Sequence, residues 1–187
     1  MPKSYSEIAA RIRVPMGLVL AFVYFVFAQP TPQRLLLGAA VALCGLMLRA
    51  AGAGHLAKNQ VLATGGPYAY TRHPLYLGST LAGIGYCIAG GQWWFFLVLG
   101  AFLGAVYWPV IRREEIHLSQ LFPDEFGVYY RAVPFLSLRR CDIALKQSGP
   151  TRFSWELYLK NREYEAFVAY LAIVLVLVAK MLLFMHS

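Results

Sequence analysis

Between two long apolar stretches the chain reads Gly66-Pro67-Tyr68-Ala69-Tyr70-Thr71-Arg72-His73-Pro74-Leu75-Tyr76-Leu77-Gly78. Each proline fixes its own φ angle and restricts the residue before it, so this turn has a positioned backbone. The apolar stretches on either side are long enough to cross a bilayer, which takes about 20 residues. Tyr68, Arg72, His73 and Tyr76 offer polar groups beside the membrane boundary. The pattern predicts a ligand site rather than a spacer.

The composition is that of a polytopic membrane protein. Of the 187 residues, 59% are hydrophobic and 14% are charged, and the mean hydropathy is +0.54. Soluble domains average roughly 45–50% apolar and ~25% charged residues. We therefore predict an all-α transmembrane helix bundle of about five spans, forming a single membrane-integral domain with a polar helical extension on the cytoplasmic side.

Apolar runs and turn residues place the spans near 9–28, 34–57, 75–90, 93–111 and 165–185. Pro15 falls within the first turns of the first span, where proline is best tolerated. Gly90-Gly91-Gln92 predicts a tight turn into the fourth span. The segment 112–164 is too polar to cross a membrane, and its aromatic and basic stretch around Trp155 predicts a short interfacial helix.

The basic residues lie on one side of this topology. The formal net charge is +8. If the spans alternate, fourteen lysines and arginines face one side and Arg34 faces the other, which is the positive-inside pattern. This favours contact with anionic membrane lipids over nucleic acid as the role of the charge. The N-terminus and the polar turn are therefore expected in the cytoplasm.

Metal and disulfide chemistry is not indicated by the sequence. Cys44 and Cys87 lie in apolar spans, Cys141 lies in the basic segment, and there is no Cys-x-x-Cys pattern. The stretch from Glu114 to His117 contains one Glu-x-x-His pair, whereas a di-iron bundle needs two with further carboxylates. We expect no bound metal.

Small residues recur at helical spacing on three spans and predict close helix packing. The three rows are Gly38, Ala42, Gly45 and Gly52 on span two, Gly78, Ala82, Gly85 and Ala89 on span three, and Gly100 and Gly104 on span four. Arg49 and His55 continue the first row, so they are expected to face the bundle. Such residues either bind substrate or, for Arg49, hydrogen-bond carbonyls of a neighbouring helix.

A second polar block follows span four. It reads Arg112-Arg113-Glu114-Glu115-Ile116-His117-Leu118 and continues with Phe122, Phe126, Tyr129, Val133 and Pro134. Taken alone, this block is explained by a membrane-proximal helix with charge pairs three or four residues apart.

The two blocks together resemble the isoprenylcysteine carboxyl methyltransferase family and its phospholipid methyltransferase relatives. The resemblance covers about 45–136 and includes both blocks at the family spacing. It implies an integral membrane enzyme that binds S-adenosyl-L-methionine in a pocket facing the cytoplasm, without a Rossmann domain. The segment 137–187 has no counterpart in the family motif.

The resemblance also implies a set of cofactor-binding residues. Gln60, Val61, Leu62 and Ala63 would surround the adenosine, and Tyr68, His73, Pro74, Leu75 and Tyr76 would line the pocket. Glu114 would bind the ammonium group of the cofactor, while Arg72 or a protonated His73 suits its carboxylate. Tyr129 and Pro134 would close the site.

Three positions depart from the family pattern. Pro123 replaces a common glycine, Phe126 replaces a tyrosine, and Val110 stands where the eukaryotic carboxyl methyltransferases have a substrate-contacting arginine. Arg112 and Arg113 are the candidates to replace that arginine. Glu115 or His73 is the candidate base for an amine acceptor, whereas a carboxylate acceptor needs none.

The sequence is compatible with several functions. Methylation of a lipophilic carboxylate, such as a prenylated cysteine, competes with N-methylation of a phospholipid headgroup. A sterol-reductase-like enzyme that uses NADPH and a membrane transporter or scaffold without a cofactor stay open as well. The available cations favour the carboxylate.

Overall fold

The computed structural model describes residues 5–135, 141 and 152–185. These residues form helices joined by turns and contain no β-strand, so the predicted all-α fold is confirmed. In chain order the helices are α1 Tyr5–Phe27, α2 Pro32–Ala53, α3 Pro74–Gly90, α4 Trp94–Phe102, α5 Trp108–Leu121, α6 Pro123–Ala132, α7 Trp155–Lys160 and α8 Tyr164–Met185. A 3-10 turn, Gly66–Ala69, precedes α3, and a π-helical turn, Leu103–Tyr107, joins α4 to α5.

Three helical segments are long and apolar enough to cross a membrane. They are Pro32–Ala53, Trp94–Leu121 and Tyr164–Leu183, and they coincide with the second, fourth and fifth predicted spans. The first and third predicted spans coincide with α1, whose apolar part is Pro15–Phe27, and with the 17-residue α3. Both are helical, and their crossing of the membrane stays a prediction.

Helix boundaries differ from the predictions at two places. Helix α1 begins at Tyr5, so Pro15 lies in its interior rather than in its first turns. Prolines inside membrane helices are tolerated because neighbouring groups satisfy the freed backbone. Helix α2 ends at Ala53, earlier than predicted, because Gly54 and the backbone after it form turns.

The predicted polar extension of span four is helical. Helices α4 and α5 and the π turn form one continuous rod from Trp94 to Leu121. Pro109 has no N–H to donate to the carbonyl four residues before it, and the π turn immediately precedes this proline. The helix thus passes from an apolar half into a polar half without a loop.

Helices α2 and α3 form a closely packed hairpin. A Cβ atom at Gly45 would lie 2.5 Å from the Gly78 carbonyl oxygen and 2.5 Å from the Ala82 amide nitrogen. Real Cβ atoms do not approach backbone so closely, so this contact requires glycine. The small-residue prediction is therefore confirmed for these two helices.

The same prediction is wrong for α4. A Cβ at Gly100 or Gly104 would meet nothing within 4 Å, and both glycines are exposed. Helix α4 instead faces α3 with large side chains, since Leu99 lies against Gly83 and Phe95 against Gly90. The small residues of α4 lie on a different face of the helix from these contacts.

The segment that contains α7 is hydrogen-bonded to the end of α2. The Ser154 N–H donates to the Gly54 carbonyl at 2.9 Å, and Asn161 Nδ2 donates to the Ala53 and Leu56 carbonyls at 2.9 Å each. The Phe153 ring lies directly on Gly54. Helix α7, predicted from its aromatic and basic residues, is thereby held beside the segment that leads into the polar turn.

The distribution of basic residues predicts that the polar turn and α6 share the cytoplasmic side. In a variant without the three native cysteines, an impermeant thiol reagent should label Lys58→Cys and Asp124→Cys from the same face. It should label Gln33→Cys from the other face, since all three positions are exposed. Labelling of Lys58→Cys and Asp124→Cys from opposite faces would contradict the five-span topology.

Candidate active site

A buried carboxylate joins the two sequence blocks. The Glu115 side chain lies on α5 and contacts three cationic or basic groups. Its Oε1 atom is 3.0 Å from His73 Nε2 and 3.3 Å from Arg72 Nε, and its Oε2 atom is 3.4 Å from Arg112 Nη1. Because a carboxylate only accepts hydrogen bonds, His73 donates through its Nε2–H. Glu115 and His73 are 8% and 5% exposed.

Glu115 rather than Glu114 is the partner of His73. The sequence predicts that Glu114 and His73 both bind the cofactor, and this stays a prediction. Successive helical residues point about 100° apart, so only one of two adjacent carboxylates can face the turn. Ile111 and Glu115 share the buried face of α5, whereas Glu114 is exposed.

Arg72 fastens the turn to the end of α6. Its Nη1 atom donates to the Val133 carbonyl at 2.8 Å and to the Tyr130 carbonyl at 3.1 Å. The guanidinium also lies over the Tyr130 ring, 3.9 Å from the centroid. Next to it, the Thr71 hydroxyl donates to the Phe135 carbonyl. Arg72 is therefore occupied by protein groups, and its role as a ligand of the cofactor carboxylate stays a prediction.

A buried cluster of apolar side chains around Tyr129 contacts the turn. Tyr129 donates its hydroxyl to the Tyr68 carbonyl at 2.9 Å, and it packs with Leu62, Phe126 and Val133. Phe126 is buried in this cluster. Tyr129 thus holds the backbone of the turn through its hydroxyl.

The phenol of Tyr68 stays protonated at neutral pH. Burial raises the pKa of Tyr68 above its ordinary value, and the negative charge of Glu114 raises it further. Burial also raises the pKa of Tyr129, partly opposed by the positive charge of Arg72. Both hydroxyls therefore remain hydrogen-bond donors.

The segment before the turn contains a polar group that sequence reasoning missed. Gln60 is exposed, Val61 is partly exposed, and Leu62 and Ala63 are buried. The next residue, Thr64, is 2% exposed, and its hydroxyl has no hydrogen-bond partner among the described residues. An unsatisfied buried hydroxyl is costly, so this group is a candidate for binding a ligand.

The two predicted substrate-binding residues have protein partners. Arg49 Nη2 lies 2.6 Å from Glu163 Oε1, and Arg49 also donates to the Ser79 hydroxyl and, at 3.5 Å, to the Leu75 carbonyl. His55 Nδ1 donates to the Ala51 carbonyl at 2.8 Å. Arg49 therefore faces the bundle as predicted, and its partner Glu163 comes from a segment that the family motif does not include.

Aromatic rings connect the polar cluster to the apolar bundle. His73 lies 5.9 Å from the Tyr76 ring, and Tyr76 lies 5.4 Å from the Tyr107 ring, both edge-on. The His73 ring is also 5.4 Å from Phe135. Pro74 and Leu75 begin α3 between these rings. A series of side-chain contacts thus runs from Glu115 through His73 and Tyr76 to Tyr107 in the π turn.

The remaining predicted residues lie on the outer face of α5. Arg112 is half exposed and its guanidinium is 5.1 Å from the Trp108 ring. Arg113 is exposed. Within the described residues, no group of three or more His, Cys, Asp or Glu side chains is arranged to hold a metal ion.

Fold and site together define an all-α integral membrane protein with a buried polar cluster at the end of its apolar helices. The family model for phospholipid methyltransferases matches residues 33–125, from α2 into α6. This match supports a membrane methyltransferase of the phospholipid methyltransferase family, which the sequence motifs also resemble. This confirms the resemblance seen in the sequence.

One curated relative supports this assignment, and a second matches part of the chain. The protein-S-isoprenylcysteine O-methyltransferase of Schizosaccharomyces pombe is 26% identical over 137 residues, which are 71% of this chain and 58% of the relative. The cobalt-zinc-cadmium resistance protein CzcN of Cupriavidus metallidurans is 38% identical over 77 residues, which are 41% of this chain and 35% of the relative. The chain thus spans less than two thirds of the length of either relative. No solved structure matches it.

The two adjacent glutamates should differ in their effect on stability. Glu115→Gln removes the charge that Arg72 and His73 share, and we expect it to lower the free energy of unfolding by on the order of 3 kcal/mol. Glu114→Gln makes the same chemical change on an exposed side chain and should cost less than about 0.5 kcal/mol. Reversible denaturation in mixed micelles measures both. Equal losses would contradict the central position of Glu115.

Proposed function

We propose that the protein transfers a methyl group from S-adenosyl-L-methionine to a lipophilic acceptor. The observation that carries this proposal is the union of the two motif blocks, since Glu115 of the second block pairs with Arg72 and His73 of the turn. The family match supports the same chemistry. The positive-inside pattern supports a site open to the cytoplasm, where the cofactor is available.

The residues around the turn fit the cofactor at both of its ends. Glu114 offers an exposed carboxylate to the ammonium group. The segment Gln60–Ala63 and the unpartnered hydroxyl of Thr64 offer polar atoms and packing to the adenosine. The cofactor supplies an electrophilic methyl group when bound.

The protein contributes mainly alignment and a dry environment. Methyl transfer is an in-line displacement, so the rate depends on holding the nucleophile opposite the methyl carbon. The hydrogen bonds of Arg72 and Tyr129 hold the turn rigid, and the buried His73–Glu115 pair orients its inner face. Excluding water from the space around a bound cofactor strengthens the electrostatic contacts made there.

We favour a carboxylate on an apolar tail as the acceptor. A carboxylate is ionised at neutral pH and needs no base, and Arg112 and Arg113 are the cations near the site that could attract it. N-methylation of a phospholipid amine is the second candidate, because the His73–Glu115 pair could accept the proton that an amine must lose. In the neutral tautomer that donates through Nε2, His73 retains an acceptor at Nδ1.

Cofactor binding tests the proposal directly. Calorimetry of the purified protein should detect binding of S-adenosylhomocysteine and no binding of NADPH. Glu114→Gln should weaken the affinity roughly tenfold to a hundredfold, because one charge-assisted hydrogen bond is worth on the order of 1.5–3 kcal/mol. The matched control is Glu125→Gln on α6, which should bind like the wild type. Binding of NADPH alone would favour the reductase, and binding of neither would favour a transporter or scaffold.

The acceptor is tested by the chemistry of the product. Labelled methyl from the cofactor should appear on an S-prenylcysteine analogue as a base-labile ester, measured in detergent and in bilayers. A fatty acid and an amino-phospholipid complete the panel. Label found only as a base-stable methylamine on the phospholipid would replace carboxyl methylation by N-methylation.

A further inference from the structure

A half-open apolar cavity of about 270 Å³ lies between the helices of the bundle. It is lined by side chains of α1, α3, α4, the π turn and α8. Tyr24 forms part of its wall and donates its hydroxyl to the Tyr86 carbonyl at 2.8 Å, so this side chain presents mainly carbon to the cavity. The lining is therefore suited to a hydrocarbon.

One end of the cavity adjoins the polar cluster. Ser79 and Tyr107 line this end. The Ser79 hydroxyl accepts a hydrogen bond from Arg49, and the Tyr107 ring packs on Tyr76, which in turn packs on His73. A molecule in the cavity would thus have its end near Tyr107 beside the proposed methyl-transfer site.

Aromatic side chains line the other end. The rings of Trp94 and Phe95 lie 4.4 Å apart, and Phe95 is 5% exposed. On α3 the cavity runs from Ser79 to Cys87, and a helical rise of ~1.5 Å per residue gives a depth of about 12 Å. This depth limits the length of the hydrocarbon chain that the cavity can cover.

The walls of the cavity combine helices inside and outside the region that matches the family model. Among the described residues, no side chain of α2 lines this cavity. Helices α1 and α8 lie outside residues 33–125, which match the family model. The shape of the cavity is therefore a property of this chain beyond the family region.

We propose that this cavity binds the single apolar chain of the acceptor and limits its enclosed part to about ten carbon atoms. The inference rests on the proposed function for the identity of the molecule as acceptor. If a methylene group takes roughly the ~30 Å³ of a water molecule, about nine such groups fill the cavity. Two acyl chains do not fit, so the occupant is a single-chain amphiphile with its head at the Ser79 end.

Gly17 on α1 provides a sharp test of this assignment. It lines the cavity, and a Cβ at this position would meet nothing within 4 Å. A phenylalanine here can enter the cavity without a backbone clash. Gly100 is the matched control, because a Cβ there also meets nothing within 4 Å but the residue is exposed and outside the cavity lining.

The experiment measures binding of N-acetyl-S-alkylcysteines with hexyl, decyl and hexadecyl chains. Competition against a photoactivatable decyl analogue gives their affinities, and the labelled peptides show where the chain lies. Affinity should rise about fourfold per methylene until the cavity is full, which is roughly two hundredfold from hexyl to decyl, and should then level off. Labelling should map to α1, α3 and α4.

Gly17→Phe should weaken decyl binding at least tenfold, and Gly100→Phe should leave it unchanged. A steady rise through hexadecyl, equal behaviour of the two variants, or labelling spread over all helices would overturn the inference. The affinities of the three alkyl chains for the wild-type protein test the inference even if a variant fails to fold. Calorimetry with S-adenosylhomocysteine on the same samples separates the two proposals, since loss of cofactor binding would refute the methyltransferase while leaving the chain-length result intact.

Discussion

The organisation of this protein depends on one buried carboxylate. Glu115 lies at the point where a long membrane helix leaves the apolar region, and it is the shared partner of Arg72, His73 and Arg112. A buried charge is costly unless it is paired and hydrogen-bonded, so these residues must stay together. The pairing of Glu115 with Arg72 and His73 therefore holds the polar turn before α3 against the polar half of α5.

The rest of the polar region extends this connection. Arg72 continues from Glu115 to the carbonyls at the end of α6, and Tyr129 returns from α6 to the carbonyl of Tyr68. The turn is therefore held from two sides, by charge and by hydrogen bonds from buried donors. On its other flank, Asn161 and Glu163 bind the end of α2, so the chain beyond the family motif also supports the site.

The apolar part contributes a different kind of constraint. Glycines bring α2 and α3 into backbone contact, which leaves no room for a ligand between them. Space remains instead where α1 meets α3 and α4, next to the π turn before Pro109. Close packing in one place and an open cavity in another follow from residue size, so α3 packs on α2 with one face and lines the proposed acceptor cavity with another.

The sequence by itself determined the all-α membrane fold, the family and the position of the polar turn. Each of these depends on local signals, namely long apolar runs, prolines and two polar blocks at a characteristic spacing. The tight α2–α3 packing was predictable from Gly45 and Gly78, because small residues at helical spacing permit close approach. On α4 the same signal failed, because spacing shows that Gly100 and Gly104 share a face but not whether another helix lies opposite.

Only the tertiary structure decided which glutamate faces His73, which carbonyls Arg72 binds, and where the cavity lies. Glu114 and Glu115 are chemically identical neighbours, and their roles differ through the rotation of α5 against the turn. Glu163 is distant in sequence from Arg49, and no motif around it predicts that the two side chains form an ion pair. Such contacts depend on the relative placement of helices, which side-chain packing over the whole bundle determines and no local pattern encodes.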